Sequence, residues 1–292
     1  MKLVKTFIHS NIYLSVAAVL LTVSAQVQLG MKPQWQPYLL LIFFATLFEY
    51  NRHRLFDVIT GKKEALNSEK NSWIRENQKK FYFLVFLSLA GFLATIIFTK
   101  TEVLLSLLPL GILTFLYKMP GSENKKYFFK LREVPYLKIF LIAFVWSAST
   151  ILLPVIQAEK EILNKQVFLL FSERFLFIFA ISIPFDIRDI QTDRNSGLKT
   201  IPTLINQKKA LVLSYLSLFF CFLISFFHYR MQNEWFVIEA LCISLITTYL
   251  FLKLKFFRNR SRYYYQILDG TLILQGMLVV GFYFLKHYQL FI

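Results

Sequence analysis

The stretch SIPFDIRDIQTDRNSGLKTIPTLI, residues 182–205, carries three of this chain's five aspartates: Asp186, Asp189 and Asp193. It begins where a long apolar run is ending, and Gly197, Lys199, Thr200 and Pro202 follow the acids directly. The spacing i, i+3, i+7 puts the three carboxylates on one face of an α-helix. Acids so placed repel one another unless a cation sits between them. Hard oxygen ligands suit Mg2+, which keeps several waters and bridges to phosphate oxygens. The same residues also describe a solvated helix end whose acids are balanced by Arg188 and Arg194.

Outward from this stretch the chain is apolar. Hydrophobic residues make up 56% and charged residues 17%, with a mean hydropathy of +0.51; a soluble domain carries more charge. Nine apolar segments stand out, at 11–30, 37–56, 81–99, 102–118, 136–156, 167–185, 210–228, 235–252 and 267–285. Several are long enough to span a bilayer as helices. They are too continuously apolar for outer-membrane strands, which alternate with period two. The expectation is an all-α polytopic membrane protein with nine transmembrane helices, residues 1–292 forming one membrane domain.

Long charged connections, 57–80, 119–135, 186–209 and 253–266, alternate with short ones. The N-terminus and long loops, with the basic end of the second segment, hold 25 of the 33 Lys and Arg residues, against 6 on the other side. By the positive-inside rule the N-terminus and long loops are cytoplasmic. That asymmetry accounts for the net charge of +16 without a nucleic-acid partner. Lys2, Lys5, an apolar stretch and then Val23-Ser24-Ala25 also loosely fit a cleavable signal peptide, which would leave eight helices in the same orientation. The two cysteines, Cys221 and Cys242, fall inside apolar runs and read as small buried hydrophobes. Four histidines without a Cys/His cluster make a zinc site unexpected.

The run DIRDIQTDRNSGLKTIP resembles the second aspartate-rich motif of the UbiA superfamily of intramembrane prenyltransferases, D-x-x-D-x-x-x-D followed by a Gly, a basic residue and T-x-P. FLYKMP at 115–120, Arg132, PYLKIFLIAFVW at 135–146 and YYYQILDGTLIL at 263–274 are similar to further cytoplasmic regions of that family. The family's first motif, N-D-x-x-D-x-x-x-D, falls on FEYNRHRLFD, residues 48–57. Glu49 takes the Asn position there, Tyr50 replaces one acid, His53 another, and Asp57 is retained. Glu49, His53 and Asp57 would share a helix face, and Asn51 would point away from it. Glu49 lies within an apolar run, where an ionisable group is expensive.

The resemblance implies a nine-helix bundle around a central cavity open to the cytoplasmic side, in a bacterial inner (plasma) or organellar membrane. It implies that Mg2+ ions bridge two carboxylate clusters to a prenyl diphosphate, and that a lipophilic acceptor, usually an aromatic ring such as a quinone precursor, captures the allylic cation. Asp186, Asp189 and Asp193 become the catalytic metal ligands, with Glu49 and Asp57 holding a second ion. Alternatively Arg52, His53 and Arg54 contact the diphosphate in place of that ion. Lys138, Lys199, Arg132 and Tyr117 join them as diphosphate contacts. Asp269, at the start of the last helix, has two readings: it closes the site, or it caps that helix, and capping is the expectation. The altered first motif keeps a second expectation open: a non-catalytic relative that binds a lipid or an isoprenoid.

Overall fold

Long apolar runs have one cheap solution in a bilayer: close every backbone hydrogen bond within the segment as a helix. A computed structural model describes residues 2–59, 69–117, 134, 136–195, 197–258 and 263–288. Each of the nine apolar segments is helical. The elements are α1 (Lys2–His9), α2 (Ile12–Gln28), α3 (Pro37–Ile59), α4 (Glu69–Glu76), α5 (Gln78–Ile96), α6 (Thr101–Tyr117), α7 (Leu137–Gln157), α8 (Lys165–Arg188), α9 (Ile190–Asn195), α10 (Ile201–Ile205), α11 (Gln207–Arg230), α12 (Trp235–Lys253) and α13 (Lys255–Arg258). A π-helical turn, Tyr263–Leu268, then runs into α14 (Asp269–Tyr288).

Six described helices, not nine, are long and apolar enough to cross a membrane: α5, α7, α8, α11, α12 and the stretch Tyr263–His287. The shortfall has identifiable causes. Apolar α2 and α6 have 17 residues each, about 25 Å at 1.5 Å per residue. α3 has 23 residues, but its second half carries Glu49, Arg52, Arg54 and Asp57.

Neighbouring helices pack in a closed order. α8 lies between α7 and α11, α12 between α11 and α14, and α14 returns to α2, which packs on α7. α3 joins α2 and α5, and α6 packs on α7. The return of α14 to α2 is close: a Cβ at Gly276 would stand 2.8 Å from the backbone of Leu20. The fully buried Ala17, Leu21, Val103, Ala143, Phe177 and Leu268 come from four of these helices and the π-helical turn before α14. α2 supplies core residues on both sides of the Val23–Ala25 stretch, so this helix is a constituent of the bundle.

Polar caps position the helix that carries the aspartates. Asn164 Oδ1 accepts a hydrogen bond from Gln166 N at 2.9 Å and starts α8; an Asn N-cap satisfies an otherwise orphaned donor. α8 stops at Arg188, with Asp189 N bonded to Phe185 O at 3.1 Å. α9 is ended by Gly197, whose φ of 69° favours glycine. Leu198 N bonds Asp193 O at 2.8 Å and Gly197 N bonds Arg194 O at 3.0 Å, closing the last turn. Thr200 and Thr203 form a capping box, with Pro202 in the first turn of α10. The Gly, Thr and Pro after the aspartates therefore have local structural work.

Candidate active site

Asp186 is the anchor of the site. It is 2% exposed, and Lys138 Nζ stands 2.6 Å from its Oδ1. The two form a buried ion pair. Lys138 is set by the start of α7, where Tyr136 N donates to Lys199 O at 3.1 Å and ties the helix to the loop after α9. One turn on from Asp186, Asp189 accepts two bonds from Arg188, Nε to Oδ1 at 2.7 Å and Nη2 to Oδ2 at 2.9 Å. Arg188 Nη1 also donates to Tyr265 Oη at 3.2 Å, and its guanidinium lies 4.8 Å from the Tyr264 ring.

These groups border a cavity of about 230 Å³. Its charged and phenolic lining is Tyr50, Arg54, Lys138, Asp186, Arg188, Asp189, Tyr265 and Asp269, and the rest includes Ser182, Leu14, Ile142, Trp146, Ile178 and Leu272. Tyr50 Oη accepts a hydrogen bond from Trp146 Nε1 at 3.0 Å, and the rings meet edge to face. Charged side chains from α3, α7, α8 and α14 share the lining with apolar and aromatic ones.

The residues singled out from the sequence divide sharply. Asp186, Asp189, Lys138 and Arg54 line the cavity. Asp193 does not: the helix breaks at Asp189, and Asp193, 1% exposed, belongs to α9. Glu49 is held by Arg52, Nε to Oε2 at 3.0 Å and Nη2 to Oε1 at 2.7 Å, with His53 Nε2 2.9 Å from Oε1. His53 lies against Tyr117 and Arg52 against Phe115, at the end of α6. Glu49, Arg52, His53 and Tyr117 thus form their own cluster outside the cavity lining. Lys199 is exposed, and what it contributes is its backbone carbonyl. Arg132 and the side chain of Asp57 lie outside the described residues.

Tyr50, Arg188, Tyr265 and Asp269 also line the cavity, outside the candidate set. Asp269, read as a cap, borders the cavity. Tyr50, read as a lost acid, holds Trp146. Arg188, read as a counter-charge at a solvated helix end, bonds Asp189 and borders the cavity. The signal for Asp269 was available: one of five aspartates, at the foot of an apolar segment.

Among the described residues, no three His, Cys, Asp or Glu side chains form a group able to hold a metal ion. The donor set still fits Mg2+ of a particular kind. Mg2+ is usually bound by one or two carboxylates plus waters and substrate phosphates, rather than by an all-protein cage. Asp186 and Asp189 offer such hard oxygens to the same cavity.

Known structures share this architecture. A UbiA homologue from Archaeoglobus fulgidus superposes with a TM-score of 0.60 at 14% identity, covering 95% of this chain and 99% of that one. The same homologue bound to GPP and Mg2+ gives 0.59 at 15% identity, over 94% and 99%. A digeranylgeranylglyceryl phosphate synthase gives 0.55 at 16%, over 96% and 97%. At these identities the likeness speaks for the fold: an all-α, multi-pass membrane protein of UbiA-like architecture. No curated protein sequence matches the chain. The model of the UbiA prenyltransferase family matches residues 75–264, which include the aspartate-rich stretch and most of the bundle, and this chain belongs to that family.

Proposed function

We propose that this protein transfers a prenyl group from a prenyl diphosphate to a lipophilic, aromatic acceptor, with Mg2+ assistance. The observation that carries the reading is one cavity that joins Asp186, Asp189, Lys138, Arg54 and Arg188 to an apolar wall with Trp146. GPP and Mg2+ in the Archaeoglobus homologue support the choice of substrate and ion. Asp186 and Asp189 would hold the ion. When bound, Mg2+ neutralises charge growing on the leaving diphosphate. Lys138 and Arg54 add fixed positive charge toward the diphosphate oxygens. The allylic C–O bond breaks and its electron pair leaves with the diphosphate. The acceptor carbon then bonds the prenyl C1 and sheds its proton. Trp146 offers a ring face to the allylic cation, and Ile142, Ile178 and Leu272 keep water from quenching it.

We place residues 1–292 in one membrane domain of nine spanning helices, with α2, α3 and α6 among them. The N-terminus and the aspartate loop are cytoplasmic in this reading, and the cavity opens on that side. Diphosphate release by the protein in nanodiscs, with geranyl, farnesyl or geranylgeranyl diphosphate and a panel of aromatic acceptors, tests the proposal. Release that needs Mg2+ and disappears in Asp189→Ala is expected. Turnover that survives Asp189→Ala sinks the assignment. Mg2+-dependent binding of an unreactive prenyl thiodiphosphate without turnover by any substrate favours a lipid- or isoprenoid-binding relative.

A further inference from the structure

Each aspartate that would hold the ion already has a protein cation on it. Lys138 Nζ is 2.6 Å from Asp186 Oδ1, and Arg188 takes both oxygens of Asp189, at 2.7 and 2.9 Å. The second pair is the more constrained. Successive residues on a regular helix do not face each other, and this pair stands where α8 stops. The guanidinium is then held from its far side. Its Nη1 donates to Tyr265 Oη at 3.2 Å, and the Tyr264, Phe185 and Tyr265 rings lie 4.8, 5.4 and 5.5 Å from it. Both tyrosines come from the π-helical turn, a rare geometry that recurs at functional sites. Tyr263, the first residue of that turn, is 1% exposed and donates to Phe251 O at 3.3 Å, so the turn is anchored in the core. A counter-charge for a solvated helix end needs none of this.

We infer that Arg188 is a latch on Asp189: it holds the carboxylate until a diphosphate gives the guanidinium another partner, so that the ion and the prenyl diphosphate bind together rather than in turn. The inference rests on the prenyl diphosphate reading above. A divalent ion on either Asp189 oxygen would share it with a guanidinium, and two like charges a few ångströms apart repel. A diphosphate changes the balance. Its oxygens accept the fork of guanidinium N–H groups as a carboxylate does, and they supply ligands that the ion otherwise takes from water. Arg188 borders the same cavity, so the exchange of partners takes a rotation of one side chain, with aromatic rings beside the guanidinium throughout. Arg188 therefore positions Asp189 before the diphosphate arrives and contacts the diphosphate afterwards.

The test separates the ion from the diphosphate. Mn2+, in place of Mg2+, is titrated into the full-length protein in nanodiscs of zwitterionic lipid, and bound Mn2+ is read by electron paramagnetic resonance. The affinity of an unreactive geranyl or geranylgeranyl thiodiphosphate is then read by calorimetry at saturating Mn2+. Arg188→Gln should bind Mn2+ alone about tenfold more tightly than the unaltered protein, and the analogue about tenfold more weakly, each the size of one charge-assisted bond. The opposite signs are the signature, because a variant that merely damaged the site would lose both. Arg188→Lys keeps the charge without the fork. It should fall between on both readings, and it carries the test if Arg188→Gln does not fold. An affinity for Mn2+ alone that stays level or falls in both variants overturns the latch and leaves the prenyltransferase reading standing. So does an analogue affinity that neither variant changes. No Mn2+-dependent analogue binding by the unaltered protein removes that reading and the latch with it.

Discussion

α8 carries two charged clusters with opposite designs. Asp186 and Asp189, at its end, face a cavity and are balanced by Lys138 and Arg188. Glu173 and Arg174, about 18 Å back along the helix at 1.5 Å per residue, face neighbouring helices. Arg174 donates to Leu21 O, Thr150 Oγ1, Ser24 Oγ and Gln28 Oε1 at 2.6–3.1 Å. Glu173 is met by His228 Nδ1 at 2.5 Å, accepts from Tyr229 Oη at 3.1 Å, and its backbone carbonyl takes the Cys221 thiol at 3.2 Å. Gln28 joins the two halves, because its Nε2 donates to Tyr229 Oη at 2.9 Å. In this second cluster protein groups fill nearly every polar valence, although His228 Nε2 is buried without a hydrogen bond. Intramembrane charge is costly in either place. What separates a site from a brace is whether this chain completes the shell or leaves room for a ligand to do so.

Breaking the brace should cost the most. Arg174→Met removes four hydrogen bonds from a 3% exposed guanidinium and strips a buried charge network of its centre, so a loss of about 3–5 kcal/mol in unfolding free energy is expected. A depressed melting temperature in detergent would report it, and the fraction still folded should keep its specific activity. A folded, stable, inactive Arg174→Met would move this cluster into the reaction and erase the contrast.

Breaking the site should do the reverse. Asp189→Asn should lower diphosphate release by about 10²–10³-fold, the range for removing one charge-stabilising group from an active site, about 2.7–4 kcal/mol. Its partial exposure makes its pair with Arg188 nearly worthless to stability, about 1 kcal/mol or less. The melting temperature should therefore hold. A large melting shift would mean that Asp189 braces the helix end.

The brace also marks what the sequence hides. Nine apolar runs are enough to find nine helices, because length and hydrophobicity are local properties. The aspartate stretch stood out because acid is rare in this chain. Glu173 and Arg174 were equally visible as an acid–base pair inside an apolar run, but their partners lie on α2, α7 and α11, more than 20 residues away or much further along the chain. Tyr50 failed differently. Motif spacing turned Glu49 and His53 toward the cavity, whereas α3 is rotated so that Tyr50 and Arg54 face it and Asn51 locks onto Asn11 and Ser10. A helix's rotation about its own axis is set by tertiary packing, and aligning a motif along one helix does not supply it.

A middle-sized effect probes how much of the brace depends on charge. Glu173→Gln keeps the shape and one carbonyl acceptor while removing the carboxylate that faces His228 and Tyr229. It should cost about 1–3 kcal/mol, the penalty for leaving a buried polar group poorly matched. Thermal melts set beside those of Arg174→Met would rank the two halves. A Glu173→Gln loss as large as the Arg174→Met loss would make the carboxylate, rather than the guanidinium, the centre of the cluster.

The smallest effect falls on the boundary between the two designs. Tyr50 lines the cavity, yet its hydroxyl is bonded to Trp146 as a brace would be. Tyr50→Phe keeps the ring against Trp146 and removes only that acceptor, so about 1 kcal/mol of stability should go, and the cavity keeps its shape. If the hydroxyl serves only to fix the Trp146 ring, diphosphate release should fall a few-fold at most, far less than in Asp189→Asn. The acceptor-capture step should suffer more than ionisation, because it is the ring face that meets the allylic cation; water-quenched prenyl alcohol should then rise as a fraction of product. A Tyr50→Phe protein as inactive as Asp189→Asn, with an unchanged melt, would put the hydroxyl itself on the diphosphate. The α3 wall would then touch the diphosphate through Tyr50 as well as Arg54.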